Sequence, residues 1–157
     1  MQTASTDIAN RAIGIIDQFK GKEGPLLPIL HELQDEFGYV PPEILPLIAH
    51  ALNISRAEVH GVFTFYHDYR DHPAGRHVLK LCRAEACQSM GGDALADRAR
   101  QLLGIDWHGT TADGAVTLEP VYCLGLCACA PAAMLDGDVI GRLDAEQLDE
   151  IAAEVRL

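Results

Sequence analysis

The sequence predicts an α+β chain, with an all-helical first half followed by a small α/β layer domain. Three observations carry this reading. Up to about residue 70, apolar residues recur at helical spacing. From residue 77 onward the pattern becomes β-α-β-β-α, an order that suits helices packed on a sheet. All five cysteines fall after residue 80, so a cysteine-free half precedes a cysteine-bearing one.

Ile8, Ala12, Ile15, Ile16 and Phe19 mark the first helix. After GKEGP, Leu26, Leu30, Leu33 and Phe37 mark the second, which Gly38 ends. Pro41 and Pro42 open the third, with Leu45, Ile48, Ala49 and Leu52 inward. The fourth begins at Ser55, where Glu58 completes a capping box and Ile54 with Val59 forms a hydrophobic staple. Its apolar face runs on through Val62, Phe63 and Tyr66. DHPAGRH, residues 71–77, has turn chemistry without periodicity and reads as a linker, so the expected domains are 1–72 and 73–157. Beyond it, HVLKLC alternates as a strand, a helix covers Asp93 to Leu103, and VTLEPVY is a second strand. AAMLDGDVIGRL then forms a hairpin about Asp136-Gly137. The last helix has Asp144 as cap, Gln147 at its third position, Leu143 with Leu148 as staple, and a buried stripe of Leu148, Ile151, Ala152 and Val155.

Composition narrows the function. Apolar residues make up 48% and charged residues 22%, the balance of a soluble globular protein. No apolar run approaches the roughly 20 residues of a membrane span, and the start, MQTASTDIANR, lacks the apolar core of a secretory signal. The expectation is a cytoplasmic chain with no membrane insertion. A formal charge of −11 opposes binding to nucleic acid or anionic lipid and suits a basic protein partner. IAHALNISRAEVHGVFTFY has the outline of a helix-turn-helix. Its second helix, however, offers Arg56 and His60 beside Glu58, then the apolar Val62, Phe63 and Phe65, where a DNA reader needs basic and amide side chains. It reads as a hairpin that packs a core.

An odd number of cysteines in two clusters fits a disulfide framework poorly. Cys82 and Cys87 are spaced C-x4-C, Cys123 and Cys127 C-x3-C, and each pair follows a predicted strand. Two loops at one end of a sheet would bring four thiolates together, a donor set for tetrahedral zinc or a 2Fe–2S cluster. The tight C-x2-C knuckle usual for zinc is absent, as is the C-x-x-C of a thioredoxin-type redox pair. No second histidine stands near to complete a Rieske set, and His77 lies on the far side of a strand. Cys87 is expected just before a helix, whose first amides favour anionic charge. Gly91, Gly92 and Gly125 are expected to let backbone approach closely and donate N–H groups to sulfur. Spacing alone leaves a 2Fe–2S cluster, a structural zinc and unligated thiols all open.

GVFTFYHDYRDHPAGRHVLKLC, the C-x4-C pair, and YCLGLC followed by AP resemble the small 2Fe–2S subunit of NADH dehydrogenases of the complex I type. More closely, they resemble the gamma subunit of soluble NAD-dependent, molybdenum-containing formate dehydrogenases, to which CRAEACQSMG and the short C-terminal end point. The match covers nearly the whole chain. The resemblance implies a helical N-terminal bundle joined to a thioredoxin-like 2Fe–2S ferredoxin domain. It implies one cluster per chain held by Cys82, Cys87, Cys123 and Cys127, with Cys129 outside the ligand set. It also implies an electron-transfer subunit with no catalytic residue of its own. FMN, NAD and the molybdenum cofactor are implied only on partners, namely a flavin/NAD-binding subunit and a catalytic molybdenum iron–sulfur subunit. The chain itself has no G-x-G-x-x-G and no P-loop. The alternatives are the equivalent subunit of an NADH:quinone oxidoreductase or NAD-linked hydrogenase and, from another class, a zinc-stabilised interaction module.

Of the remaining residues, Arg83 directly follows a ligand and either offsets cluster charge or is simply solvated. Phe63, Phe65 and Tyr66 read as core or interface, the seven histidines as scattered surface or packing residues, and Cys129 as a small buried neighbour of the site. Trp107 carries no signal.

Overall fold

The computed structural model describes residues 2–156, with side chains from residue 7 onward. The chain divides into two compact units, the first ending at Pro73 and the second beginning at Ala74.

The first unit is helical: α1 (Gln2–Phe19), α2 (Leu26–Phe37), a 3-10 turn (Pro42–Ile44), α3 (Leu45–Leu52) and α4 (Arg56–Phe65). Gly38 ends α2 in the left-handed region, and its N–H returns to the Gln34 carbonyl. Asn53 does the same for α3. At α4 the Ser55 hydroxyl accepts from the Glu58 N–H and the Glu58 carboxylate accepts from the Ser55 N–H, a complete capping box. Ala12, Ile15 and Ile16 of α1 meet Ile29, Leu30 and Leu33 of α2, Ile44, Leu45 and Ile48 around the start of α3, and Val59 and Phe63 of α4.

One expectation needs correction here. The apolar face of α4 does not run on to Tyr66. The helix ends at Phe65, leaving Phe65 72% and Tyr66 44% exposed, and of the three aromatics only Phe63 enters the core. The cause lies further along. The Gln34 side-chain amide donates to the Asp68 carbonyl and its oxygen accepts from the Arg70 N–H, while the Val40 N–H bonds the Arg70 carbonyl. These bonds hold residues 68–70 along α2 and bury Tyr69, whose ring meets those of His31 and Phe63.

The second unit runs β1 (His77–Cys82), α5 (Glu85–Ser89), α6 (Gly92–Leu103), β2 (Val116–Val121), a 3-10 turn (Cys127–Cys129), β3 (Ala132–Leu135), β4 (Asp138–Gly141) and α7 (Ala145–Glu154). The sheet order is β2-β1-β3-β4, parallel between β1 and β2 and antiparallel elsewhere. Leu79 is paired with Leu118 on one side and with Leu135 on the other, so these residues share a face. That face packs against Ala96, Ala99 and Leu103 of α6 and Leu148, Ile151 and Ala152 of α7. An Arg98–Asp149 ion pair joins the two helices at the surface. The hairpin turns at Asp136 and Gly137, both at positive φ, as a two-residue hairpin turn requires. α7 carries the expected Asp144–Gln147 capping box. Among the described residues, no helix is long and apolar enough to cross a membrane.

Replacing either cap removes an acceptor for an otherwise orphaned helical N–H. Ser55→Ala and Asp144→Ala are each expected to cost about 1 kcal/mol, measured as a lower urea midpoint at unchanged slope.

Candidate metal centre

Parallel pairing places the site. Cys82, the last residue of β1, lies opposite Val121, the last of β2, so both chains leave the sheet at the same edge. The Arg83 N–H extends that ladder by one bond to the Val121 carbonyl, 2.7 Å. The first loop then winds into α5, a single short helix that carries Cys87. The Gln88 side-chain amide ties this helix back to the Arg83 carbonyl at 2.9 Å. Gly91, at φ 92°, turns the chain from α5 into α6. Gly92 packs so tightly that an added Cβ would lie 2.6 Å from the Cys87 carbonyl oxygen.

The second loop curls through two left-handed positions, Cys123 at φ 117° and Gly125 at φ 78°. It enters the 3-10 turn that carries Cys127 and leaves through Ala130, extended at φ −68° and ψ 151° as the residue before proline should be.

Together the loops collect four thiols in two pairs. Cys82 and Cys87 are 5% and 2% exposed and form a small apolar cluster with Ala132, separate from the main core. Cys123 and Cys127 are exposed, their sulfurs 3.7 Å apart, and the Gly125 N–H donates to the Cys123 sulfur at 3.3 Å.

The thiols perturb one another. Burial pushes the Cys82 thiol up, but the Ala84 N–H, the Cys87 side chain and the N–H groups of Leu124 and Cys123 outweigh it, so its pKa ends below the ordinary value. Burial, and then donation to Cys82, push Cys87 up, partly offset by the Ala132 N–H. Cys127 is raised chiefly by its hydrogen bond to Cys123 and by that neighbour's charge. The donors stand two and two, the division that gives each iron of a binuclear cluster two protein ligands.

Several sequence expectations are corrected. Cys87 sits inside its own one-turn helix and not in the residues directly before α6, because Met90 and Gly91 separate the two helices. The Gly91 N–H goes to the Gln88 carbonyl, and the N–H groups that reach sulfur come from Ala84, Cys123, Leu124, Ala132 and Gly125. Gly92 serves the expected close approach, against the Cys87 carbonyl. Arg83 is neither simply solvated nor turned to the thiols: its guanidinium donates to Asp93 at 3.1 Å and lies over the Trp107 ring, 5.3 Å from its centroid. Trp107 thus has a role that no local pattern signals. Cys129 is half-buried, its N–H on the Leu126 carbonyl and its Cβ against Gly141 of β4. His77 and His108 bond Asp136 and Glu119, at 2.7 and 2.6 Å.

The family model for the thioredoxin-like [2Fe-2S] ferredoxin matches residues 12–156. The chain belongs to that family. A subunit of the NADH-quinone oxidoreductase of Mycobacterium tuberculosis is 35% identical over 142 residues, covering 90% of this chain but 56% of that relative. The chain thus spans little more than half the length of that relative. The NADP-reducing hydrogenase subunit HndA of Solidesulfovibrio fructosivorans is 32% identical, covering 90% of this chain and 83% of HndA. A solved structure of an NAD+-reducing [NiFe]-hydrogenase in the air-oxidized state superposes with a TM-score of 0.71 at 24% identity, over 83% of this chain and 22% of that one, which shows a shared fold. The family's cofactor is a single 2Fe–2S cluster, and four thiols grouped two and two fit it.

Gly92→Ala forces a Cβ against the Cys87 backbone. It is expected to destabilise the chain by about 1–3 kcal/mol, read as a lowered thermal midpoint, whereas Gly21→Ala, where nothing lies within 4 Å, leaves it unchanged.

Proposed function

We propose that the chain is the electron-transfer subunit of an NAD-linked oxidoreductase, with Cys82, Cys87, Cys123 and Cys127 as the ligands of its 2Fe–2S cluster. The observation that carries the proposal is the two-and-two grouping of thiols at the shared edge of β1 and β2. A cluster bound there supplies one-electron chemistry. The chain's own residues hold and tune it. Cys82 and Cys87 exclude water by burial, and backbone N–H groups of Ala84, Cys123, Leu124, Ala132 and Gly125 stabilise negative charge on sulfur. A reducing cytoplasm keeps such thiols free for metal.

Substrate chemistry belongs to other chains in this reading. Without a dinucleotide fingerprint or P-loop, the chain leaves NAD and FMN to a flavin/NAD-binding partner beside the cluster. The relatives named above are subunits of NADH-quinone oxidoreductase and of a hydrogenase, and they favour an assembly of that kind. Formate dehydrogenase, with a molybdenum iron–sulfur subunit as the further partner, rests on the wording of CRAEACQSMG and stands as the second reading. The thioredoxin-like [2Fe-2S] ferredoxin family match favours the cluster over a structural zinc.

Protein purified anaerobically is expected to hold two iron and two sulfide per chain. Changing Cys82, Cys87, Cys123 or Cys127 to serine should strip the cluster or alter its visible spectrum, whereas Cys129→Ala should leave both iron content and spectrum intact. Stoichiometric zinc without sulfide would overturn the assignment. In a second experiment, NADH should bleach the purified chain only after the flavin subunit is added, and bleaching by the flavin-free chain would refute the division of labour.

A further inference from the structure

We propose that a groove in the helical bundle seats an amphipathic segment of the flavin/NAD-binding partner, apolar on its inner face and carrying carboxylates beside it. This rests on the reading that the chain works next to such a subunit.

The groove measures about 520 Å³ and lies between the α1–α2 connection, the end of α3 and the outer face of α4. Its floor is made by Leu27, Leu52, Ile54 and Val62, which pack against the core yet stay half-exposed. Tyr66 forms one wall. Its ring is propped edge-on between Phe65, at 5.2 Å, and the buried Tyr69, at 6.2 Å. The early end of α4 leaves these two aromatics outside the core. Large exposed aromatics continuous with an apolar groove mark an interaction surface, and aromatic side chains in such places supply most of an interface's energy. Helix-in-groove recognition uses this shape, with apolar anchors at i, i+3, i+4 and i+7 of the incoming segment.

Charge selects the occupant. The chain carries three lysines in all, and two of them, Lys20 and Lys22, line this groove, although the formal charge is −11. Lys20 is paired with the exposed Asp17, at 2.7 Å, and Lys22 lies over the Phe19 ring at 3.9 Å. An exposed pair of the first kind is worth little and exchanges readily. Two ammonium groups beside an apolar trough complement carboxylates flanking an apolar stripe. A second copy of this acidic chain would bring like charge to most of the surrounding surface.

The test uses the full-length holo chain and its purified flavin/NAD-binding subunit. Zero-length carbodiimide coupling followed by mass spectrometry is expected to join Lys20 or Lys22 to Asp or Glu of that subunit, next to an apolar stretch. Val62→Glu should raise the Kd of the pair at least tenfold. Lys20→Glu with Lys22→Glu should raise it by a smaller factor that shrinks as salt is added. Each variant is checked by far-ultraviolet circular dichroism and by the cluster's visible spectrum; if Val62→Glu misfolds, the lysine pair decides. Wild-type affinity in the folded variants, or crosslinks running only to a second copy of the chain, overturns the groove while leaving the electron-transfer reading intact. A wild-type chain that does not bind the flavin subunit at all overturns both.

Discussion

The site depends on the parallel pairing of β1 with β2. Parallel strands send their C-terminal ends in the same direction, and that arrangement lets loops separated by some forty residues share one pocket. The register is pinned at both ends. At the start, the Gly75 N–H bonds the Thr117 hydroxyl at 2.7 Å, and an added Gly75 Cβ would sit 2.9 Å from the Val116 backbone. At the finish, the Arg83 N–H meets the Val121 carbonyl. A slip by one residue would turn Cys82 to the opposite face of the sheet and dismantle the donor set.

Strand parity separates the site from the core. Leu79 and Leu81 face α6 and α7, whereas Cys82 points the other way, into the small cluster with Cys87 and Ala132. The large core side chains Leu79, Leu118, Leu148, Val116 and Val155 are fully buried without help from any cysteine. A sheet held by that core can present formed loops to a metal. Small zinc domains differ, because there metal binding and folding are the same event.

Much of this was legible in the sequence because it is encoded locally. Both capping boxes, the glycine stop of α2 and the Asp136-Gly137 turn are set by residues within four positions of one another. The features that escaped depend on distant partners or on lengths too short for a period. α5 is one turn long, so no apolar repeat can announce it. The path of the chain just after α4 is held by Gln34, more than thirty residues away. Arg83 and Trp107 meet only once α6 has folded between them. The four thiols were visible as a spacing pattern, but their division into a buried and an exposed pair required the sheet.

That division shows why the two loops act as one unit. The sulfur of Cys82, from the first loop, receives the N–H groups of Cys123 and Leu124 from the second. The sulfur of Cys87 receives the N–H of Ala132, where the second loop rejoins the sheet. The buried thiols therefore receive part of the stabilisation of their charged form from backbone that lies forty residues downstream. The second-loop amides add to the Ala84 N–H and the Cys87 side chain in lowering the Cys82 pKa, whereas Cys87 stays raised by burial despite the Ala132 N–H. Each loop supplies thiols of its own, and the second also supplies amide dipoles to the sulfurs of the first.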